Sequence, residues 1–279
     1  MSLVEPTAGR PAASSDVRIT AVEAIPFQLP YRRAPRFASG TVERADNVLV
    51  RLHTDAGLTG VAEAQPRPYT YGETQRSIVA AIGELLAPLV VGADPADPVA
   101  LHDRCRSVIG NNVARGALDL AAWDLAGKVA GRPAGRLLGD AATRVAAAHM
   151  VSLAEPEAMA AEALELHERH GVRTFKVKVG RSAALDVAAT RAIRDALPDA
   201  TLYVDANRGW DRAEAERAGD ALIELGARAI EEPLPLDDLE GRRALAAAWS
   251  VPLVGDESCI SLRHVAAELD AGAVGTVSV

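Results

Sequence analysis

Lys176 and Lys178 are two of only three lysines in a chain that carries 30 basic residues, the third being Lys128. Arginine keeps its proton in any protein environment, whereas lysine loses it when burial or neighbouring charge disfavours the ammonium. A lysine pair retained in so arginine-rich a chain points to a need for an amine that can titrate. Downstream, Asp205, Glu231 and Asp256 follow at intervals of 26 and 25 residues. Each closes a short apolar run, in Val204-Asp205-Ala206-Asn207, Ile230-Glu231-Glu232-Pro233 and Gly255-Asp256-Glu257-Ser258. Three carboxylates in one small volume repel one another unless a cation joins them. An all-oxygen set with no histidine or cysteine beside it suits a hard ion, Mg²⁺ with Mn²⁺ as the alternative, better than zinc. No H-E-x-x-H motif occurs, and the six histidines show no ligand spacing. A lysine next to such an ion and a second lysine is expected to have a lowered pKa, suited to base function. The ion itself stabilises the charge that develops when a proton leaves the carbon beside a carboxylate.

These residues need elements that bring them together. After about Arg144, short β-branched runs alternate with alanine-rich amphipathic segments. Strands are predicted at 145–153, 174–179, 201–206, 228–232, 253–256 and 275–279, with helices near 156–170, 183–197, 212–225, 238–249 and 262–271. A βα period of about two dozen residues implies a parallel sheet. The chain has no G-x-G-x-x-G and no P-loop, so a doubly wound nucleotide-binding sheet is disfavoured. Polar residues at successive strand ends fit an α/β TIM-type barrel, whose C-terminal strand ends converge on one mouth. Lys176 and Lys178, at i and i+2, face the same side of their strand.

The first half reads differently. Strand-like alternation at Val17–Val22 and Asn47–Thr54, with a turn at Asp55-Ala56-Gly57, is followed by helical spacing of Ile78, Ile82, Leu85, Leu86 and Leu89. Thr70-Tyr71-Gly72-Glu73 has capping-box spacing, Asp97-Pro98 reads as a helix start, and a third helix spans about Asn112 to Ala130. Pro30 to Gly40 reads as a loop. The expected organisation is a frayed leader over 1–16, an α+β capping domain over 17–143 and a barrel domain over 144–279.

Composition narrows the partners. The 279 residues hold 38 acids against 30 bases, a net charge of −8, and only 4% aromatics. Nucleic acid is therefore not an expected partner. No run reaches the roughly 18 apolar residues of a membrane span. The N-terminus lacks a basic start followed by an apolar core, and the two cysteines, Cys105 and Cys259, cannot build a disulfide framework. A cytoplasmic protein is expected.

Lys176-Val177-Lys178, Val204-Asp205-Ala206-Asn207, Ile230-Glu231-Glu232-Pro233 and Asp256-Glu257-Ser258, in this order and spacing, resemble the muconate-lactonizing subgroup of the enolase superfamily. The resemblance covers nearly all of the chain from Val17 and implies a modified (β/α)7β barrel, of which about six strands are present, behind an α+β capping domain. It implies Asp205, Glu231 and Asp256 as Mg²⁺ ligands and Lys178 as the acid/base. A lysine base with a Mg²⁺-stabilised ene-diolate is the known pattern of that superfamily. Lys176 is implied as the companion that lowers the pKa of Lys178, and Asn207 and Glu257 as neighbours that orient metal and substrate. Glu231 is chosen over Glu232 because the family counterpart of the latter is often glutamine. The segments from Ile25 to Gly40 and Pro66 to Thr74, including Phe37 and Tyr71, are similar to capping loops of muconate cycloisomerases. The expected partners are thus a small-molecule carboxylate substrate and further copies of the chain in a homo-oligomer.

The implied reaction is lactonisation of cis,cis-muconate. o-Succinylbenzoate synthesis, and racemisation or epimerisation of N-acylated amino acids and dipeptides, share the same half-site. The family places a second lysine on the sixth strand, opposite Lys178, and the sequence stops at Val279 before it. The expected explanation is a fragment of a longer polypeptide; the alternative is a truncated, non-catalytic remnant. Plainer readings stand beside each motif: the lysines as a solvated edge pair, a strand-end acid as a helix N-cap, Asn207 as a turn former, Phe37 and Tyr71 as loop packing, Cys259 as an inert thiol and His149 as a rim residue.

Overall fold

The computed structural model describes residues 15–32, 34–38, 40–139 and 144–278. Most of the expected leader, Ser39 of the capping loop, residue 143 at the expected domain boundary, and Val279 lie outside the described residues. Packing divides the chain into two units, one formed by the chain up to Pro30 with Arg44–Val145, the other by Tyr31–Glu43 with Ala146–Val279.

In the first unit, β1 (Ile19–Pro30), β4 (Arg44–Thr54) and β5 (Thr59–Ala64) form an antiparallel sheet in the order β1-β4-β5. Val48, Val50 and Leu52 alternate along β4 and are fully buried, the period-two signature of a sheet with one face in the core. They pack with Ile78, Ile82, Leu86, Leu101, Leu118 and Leu125 from the helices. The first helical stretch starts as α1 (Gln75–Ala80) and passes through a π segment, Ala81–Leu86, into α2 (Ala87–Val90). Pro88 has no N–H to give to the preceding turn, which accounts for the widened geometry there.

Asp97 caps α3 (Pro98–Cys105), its side chain accepting from the Ala100 N–H at 2.9 Å. The capping box differs from the sequence expectation. Thr74 and Ser77 form it, not Thr70 and Glu73, because Thr70–Gly72 is occupied by a turn. Glu73 instead reaches across 40 residues and accepts from the Val113 and Ala114 N–H groups (2.6 and 3.2 Å) at the start of α4 (Asn112–Ala130). Its negative charge at the otherwise uncapped N-terminus of a 19-residue helix is favourable. Glu73→Ala is expected to lower stability by about 1–2 kcal/mol, read from thermal or urea unfolding.

The second unit holds β2 (Arg36–Phe37) and β3 (Gly40–Thr41), a small hairpin within the segment expected to be loop. Its main body alternates β6 (Ala148–Val151), α6 (Pro156–His170), β7 (Thr174–Lys178), α7 (Ala183–Ala196), β8 (Thr201–Asp205), α8 (Arg212–Glu224), β9 (Ala227–Glu231), α9 (Leu239–Ala248), β10 (Leu253–Gly255), α10 (Leu262–Asp270) and β11 (Thr276–Val277). The six strands pair in parallel in sequence order. Among the described residues, β6 and β11 are the two edges of this sheet. Phe175, Val177, Leu202, Val204, Ile230 and Leu253 turn toward the helices and join Met159, Ala163, Ile193 and Leu222 in one buried core. The intervening positions, Lys176, Lys178, Tyr203, Asp205 and Glu231, face the other side.

Residues 31–43, assigned by sequence to the capping domain, pack with this second unit. The Leu153 N–H donates to the Arg36 carbonyl (3.2 Å), joining the hairpin to the loop after β6.

Candidate active site

Parallel pairing in register sets the ends of the strands side by side: Lys178 pairs with Asp205, and Asp205 with Glu231. The Lys178 ammonium donates to Asp205 Oδ2 (2.5 Å) and to Asn207 Oδ1 (2.7 Å). Lys176 lies 2.8 Å from the same Asp205 oxygen and donates to Glu231 Oε1 at 2.7 Å. Asn207 donates to Glu257 Oε1 (3.2 Å), and the Arg208 guanidinium stands 3.4 Å from that oxygen. The Phe37 ring lies 4.9 Å from Lys178 Nζ, and the Tyr203 ring 5.9 Å from Lys176 Nζ, both within cation–π range.

The site is built from side chains that are costly to bury. Lys178, Asp205, Glu231, Glu232 and Glu257 are all buried, and Asp256 is half-buried. Desolvation pushes Asp205 up, but the charges of Lys178 and Lys176 outweigh it and hold the carboxyl below its ordinary range. Glu231 goes the other way. Burial, reinforced by the Asp205 charge, pushes it up to about 7 despite Lys176. Burial likewise raises Asp256 and Glu257.

Lys176, which the resemblance implies as the companion that lowers the pKa of Lys178, is itself held in its charged form. Burial acts to lower its pKa, but Asp205 and Glu231 prevail and hold the ammonium charged. Asp205, Glu231 and Asp256 stand at three successive strand ends, close enough for the Asp205 charge to act on both of the others, and with Lys176 in place no preformed group of three metal ligands is found among the described residues. Lys176 lies between Asp205 and Glu231 and pairs with both.

The two glutamates after β9 part company through the backbone. Glu231 is the last residue of β9, while Glu232 has a left-handed φ of 40°. That twist turns its carboxylate to the next loop, where Oε1 accepts from the Asp256 and Ser258 N–H groups and the Ser258 hydroxyl (2.7, 2.8 and 2.6 Å). Asn207 and Arg208 are also left-handed, with φ of 43° and 65°. Non-glycine residues in this region cost of order 1–3 kcal/mol each, and such strain concentrates at functional sites.

Of the residues singled out from sequence, Lys176, Lys178, Asp205, Glu231, Asn207, Glu257 and Phe37 come together in the second unit, with Asp256 at the adjoining strand end. Tyr71 belongs to the first unit, in the turn before α1, where its N–H donates to the Arg67 carbonyl (2.7 Å). His149 pairs with Glu162 (2.9 Å), a rim contact, and Cys259 is half-buried with its thiol pushed up by burial. Tyr203 and Arg208 were missed. Tyr203 was legible in principle, since it lies two residues before Asp205 and therefore on the same face.

A parallel sheet of sequential βα units, with lysines and acids grouped at the C-terminal strand ends, defines an α/β-barrel-type enzyme. The profile described as enolase C-terminal domain-like matches residues 158–279, and that of the mandelate racemase/muconate lactonizing enzyme N-terminal domain matches residues 19–139. The chain belongs to the mandelate racemase/muconate lactonizing enzyme family of the enolase superfamily. A muconate lactonizing enzyme from Mucobacterium Smegmatis, solved with muconolactone, superposes with a TM-score of 0.90 at 42% identity over 93% of this chain and 72% of that one. A dipeptide epimerase from Enterococcus faecalis, solved with Mg and L-Leu-L-Tyr, gives 0.87 at 29% identity over 93% and 73%. The L-Ala-D/L-Glu epimerase of Bacillus subtilis is 34% identical over 86% of this chain. The chain spans 66% of that enzyme's length.

Proposed function

We propose that the protein is a Mg²⁺-dependent cycloisomerase of the muconate type, with Lys178 as its acid/base. The observation that carries this reading is the buried Lys178 ammonium held between Asp205 and Asn207 at the strand ends. Its overall likeness to the muconolactone-bound enzyme supports the choice of substrate.

The residues fit a hard divalent cation. Five carboxylates (Asp205, Glu231, Glu232, Asp256 and Glu257) stand with three cations (Lys176, Lys178 and Arg208) at these strand ends, a formal charge of minus two when every carboxylate is ionised. Glu232 Oε2 and Glu257 Oε2 are buried without hydrogen-bond partners, and every acidic donor is oxygen. Asp205, Glu231 and Asp256 would hold the ion after Lys176 swings aside. When bound, such an ion stabilises negative charge developing on the substrate carboxylate.

The chain's own groups supply the proton chemistry. In the lactonising direction a carboxylate oxygen of muconate adds across the conjugated double bond, and the displaced electron pair comes to rest beside the other carboxylate. Lys178 Nζ gives its proton to that carbon; in reverse it takes the proton back. Asn207 fixes the amine through its 2.7 Å contact, and Phe37 keeps water from one side of it. Lys176 adds a positive charge near the substrate carboxylate.

Turnover of cis,cis-muconate to muconolactone is expected with Mg²⁺ and lost with chelator; turnover that ignores chelator would overturn the mechanism. The similarity to two epimerases favours α-carbon epimerisation of dipeptides as the second reading. Deuterium incorporation separates the two: exchange into muconolactone but not L-Ala-L-Glu or L-Leu-L-Tyr supports the first, and the converse supports the second.

The raised Glu231 gives a pH prediction. A cation binds the carboxylate form, so a proton competes below about 7. Mg²⁺ affinity is expected to be level above pH 7 and to fall by up to about tenfold per pH unit below it, as measured by calorimetry from pH 5.5 to 8. Asp205, with its carboxyl held low, adds no titration in that window. Affinity unchanged across the range would remove Glu231 from the ligand set.

A further inference from the structure

We propose that Asp186, outside the group of lysines and acids at the strand ends, is the positioning residue that fixes Lys178 against Asp205 and Asn207. Asp186 lies in the first turn of α7 and is fully buried. Its Oδ2 accepts from three donors at 2.9 Å each: the N–H groups of Gly180 and Arg181, just after β7, and the indole N–H of Trp210, beyond β8. Its Oδ1 accepts from Arg181 Nε (3.1 Å), while Arg181 Nη1 donates to the Ala154 carbonyl beyond β6 (2.7 Å). One carboxylate thus ties together the loops that follow three neighbouring strands.

The loops it ties are packed backbone to backbone. A Cβ on Gly180, which has a φ of 99°, would sit 2.3 Å from the Ala206 carbonyl oxygen, and one on Gly209 would sit 2.4 Å from the Gly180 oxygen. The Val179 N–H donates to the Asp205 carbonyl (2.9 Å). Gly180 is two residues from Lys178, and Trp210 is three from Asn207, so any slip between the loops moves amine and acceptors relative to each other. A carboxylate is required for this junction. An amide in its place presents one oxygen and a donor NH2 group to four N–H groups, so at least one of them faces another donor.

The placement of Lys178 by Asp186 stands on geometry; its catalytic consequence rests on the reading under Proposed function. The test compares Asp186→Asn with Leu222→Ala, a deletion in the same core at a position within α8 and outside both loops, and with Trp210→Phe, which removes one of the four bonds. Amides of Val179, Ala206 and Asn207, none bonded to Asp186, are expected to exchange at least tenfold faster in Asp186→Asn and by an intermediate factor in Trp210→Phe. They are expected to change less in Leu222→Ala. Mg²⁺ affinity is expected to weaken about tenfold, and kcat to fall about tenfold or more with KM within about twofold, since a misplaced catalytic group slows reaction more than it weakens binding. Equal exchange in Asp186→Asn and Leu222→Ala would overturn the proposal. If Asp186→Asn does not fold, Trp210→Phe decides by the same amides. Failure of the unaltered protein to bind Mg²⁺ would sink the reading under Proposed function and leave the exchange comparison to judge Asp186.

Discussion

Lys178→Met is expected to lower kcat by about 10²–10⁴-fold and to abolish deuterium exchange at the substrate α-carbon, with KM nearly unchanged. The side chain is buried, and its ammonium makes two short contacts, so it is held ready for transfer instead of sampling rotamers. Methionine keeps the length and apolar stem while removing the proton carrier. Lys176→Met is the informative partner. Its ammonium contacts Asp205 and Glu231, not Asn207, so its removal is expected to reduce rate less and to leave exchange measurable. Exchange that survives in Lys178→Met and vanishes in Lys176→Met would reverse the two assignments.

Asp205→Asn carries the largest expected effect on the folded state. Asp205 is fully buried and is the shared partner of both ammonium groups. Breaking a buried pair from one side leaves an uncompensated charge, and the loss is about 3–5 kcal/mol. The same change deletes one of the proposed Mg²⁺ ligands. The variant is therefore expected to unfold at lower urea concentration and to show no thermal stabilisation by added Mg²⁺, whereas the parent chain gains stability with ligand concentration. Unchanged unfolding in Asp205→Asn would mean that Glu231 and Asn207 alone satisfy the two lysines. A Mg²⁺ shift retained in the variant would place the ion elsewhere.

Much of the site could be read from side-chain periodicity. Lys176 and Lys178 on one face of β7, and Asp205 and Glu231 at the ends of β8 and β9, follow from alternation along strands and from one βα unit per acid. The helix bounds Pro156–His170 and Asn112–Ala130 follow from Pro156 at a helix start and from Gly131 and Pro133 beyond an end. The β2–β3 hairpin was hidden because Pro35 and the polar residues around it read as loop, and two-residue strands leave no period to detect. The Thr70–Glu73 pattern misled for a related reason. A capping box is a local motif, but Glu73 found better partners 40 residues away at the start of α4.

By itself, then, the sequence determined the βα repeat, the lysine pair and the order of strand-end acids, because backbone alternation is local and tolerates few alternatives. Only the tertiary structure decided which carboxylate each ammonium meets, that Glu232 turns to hold the Asp256–Ser258 loop, and that residues 31–43 pack with the second unit. It also decided the sign of the Lys176 shift, where two carboxylates outweigh burial. Those outcomes depend on distances between groups far apart along the chain. Electrostatic and desolvation energies vary steeply with such distances, and no residue pattern encodes them.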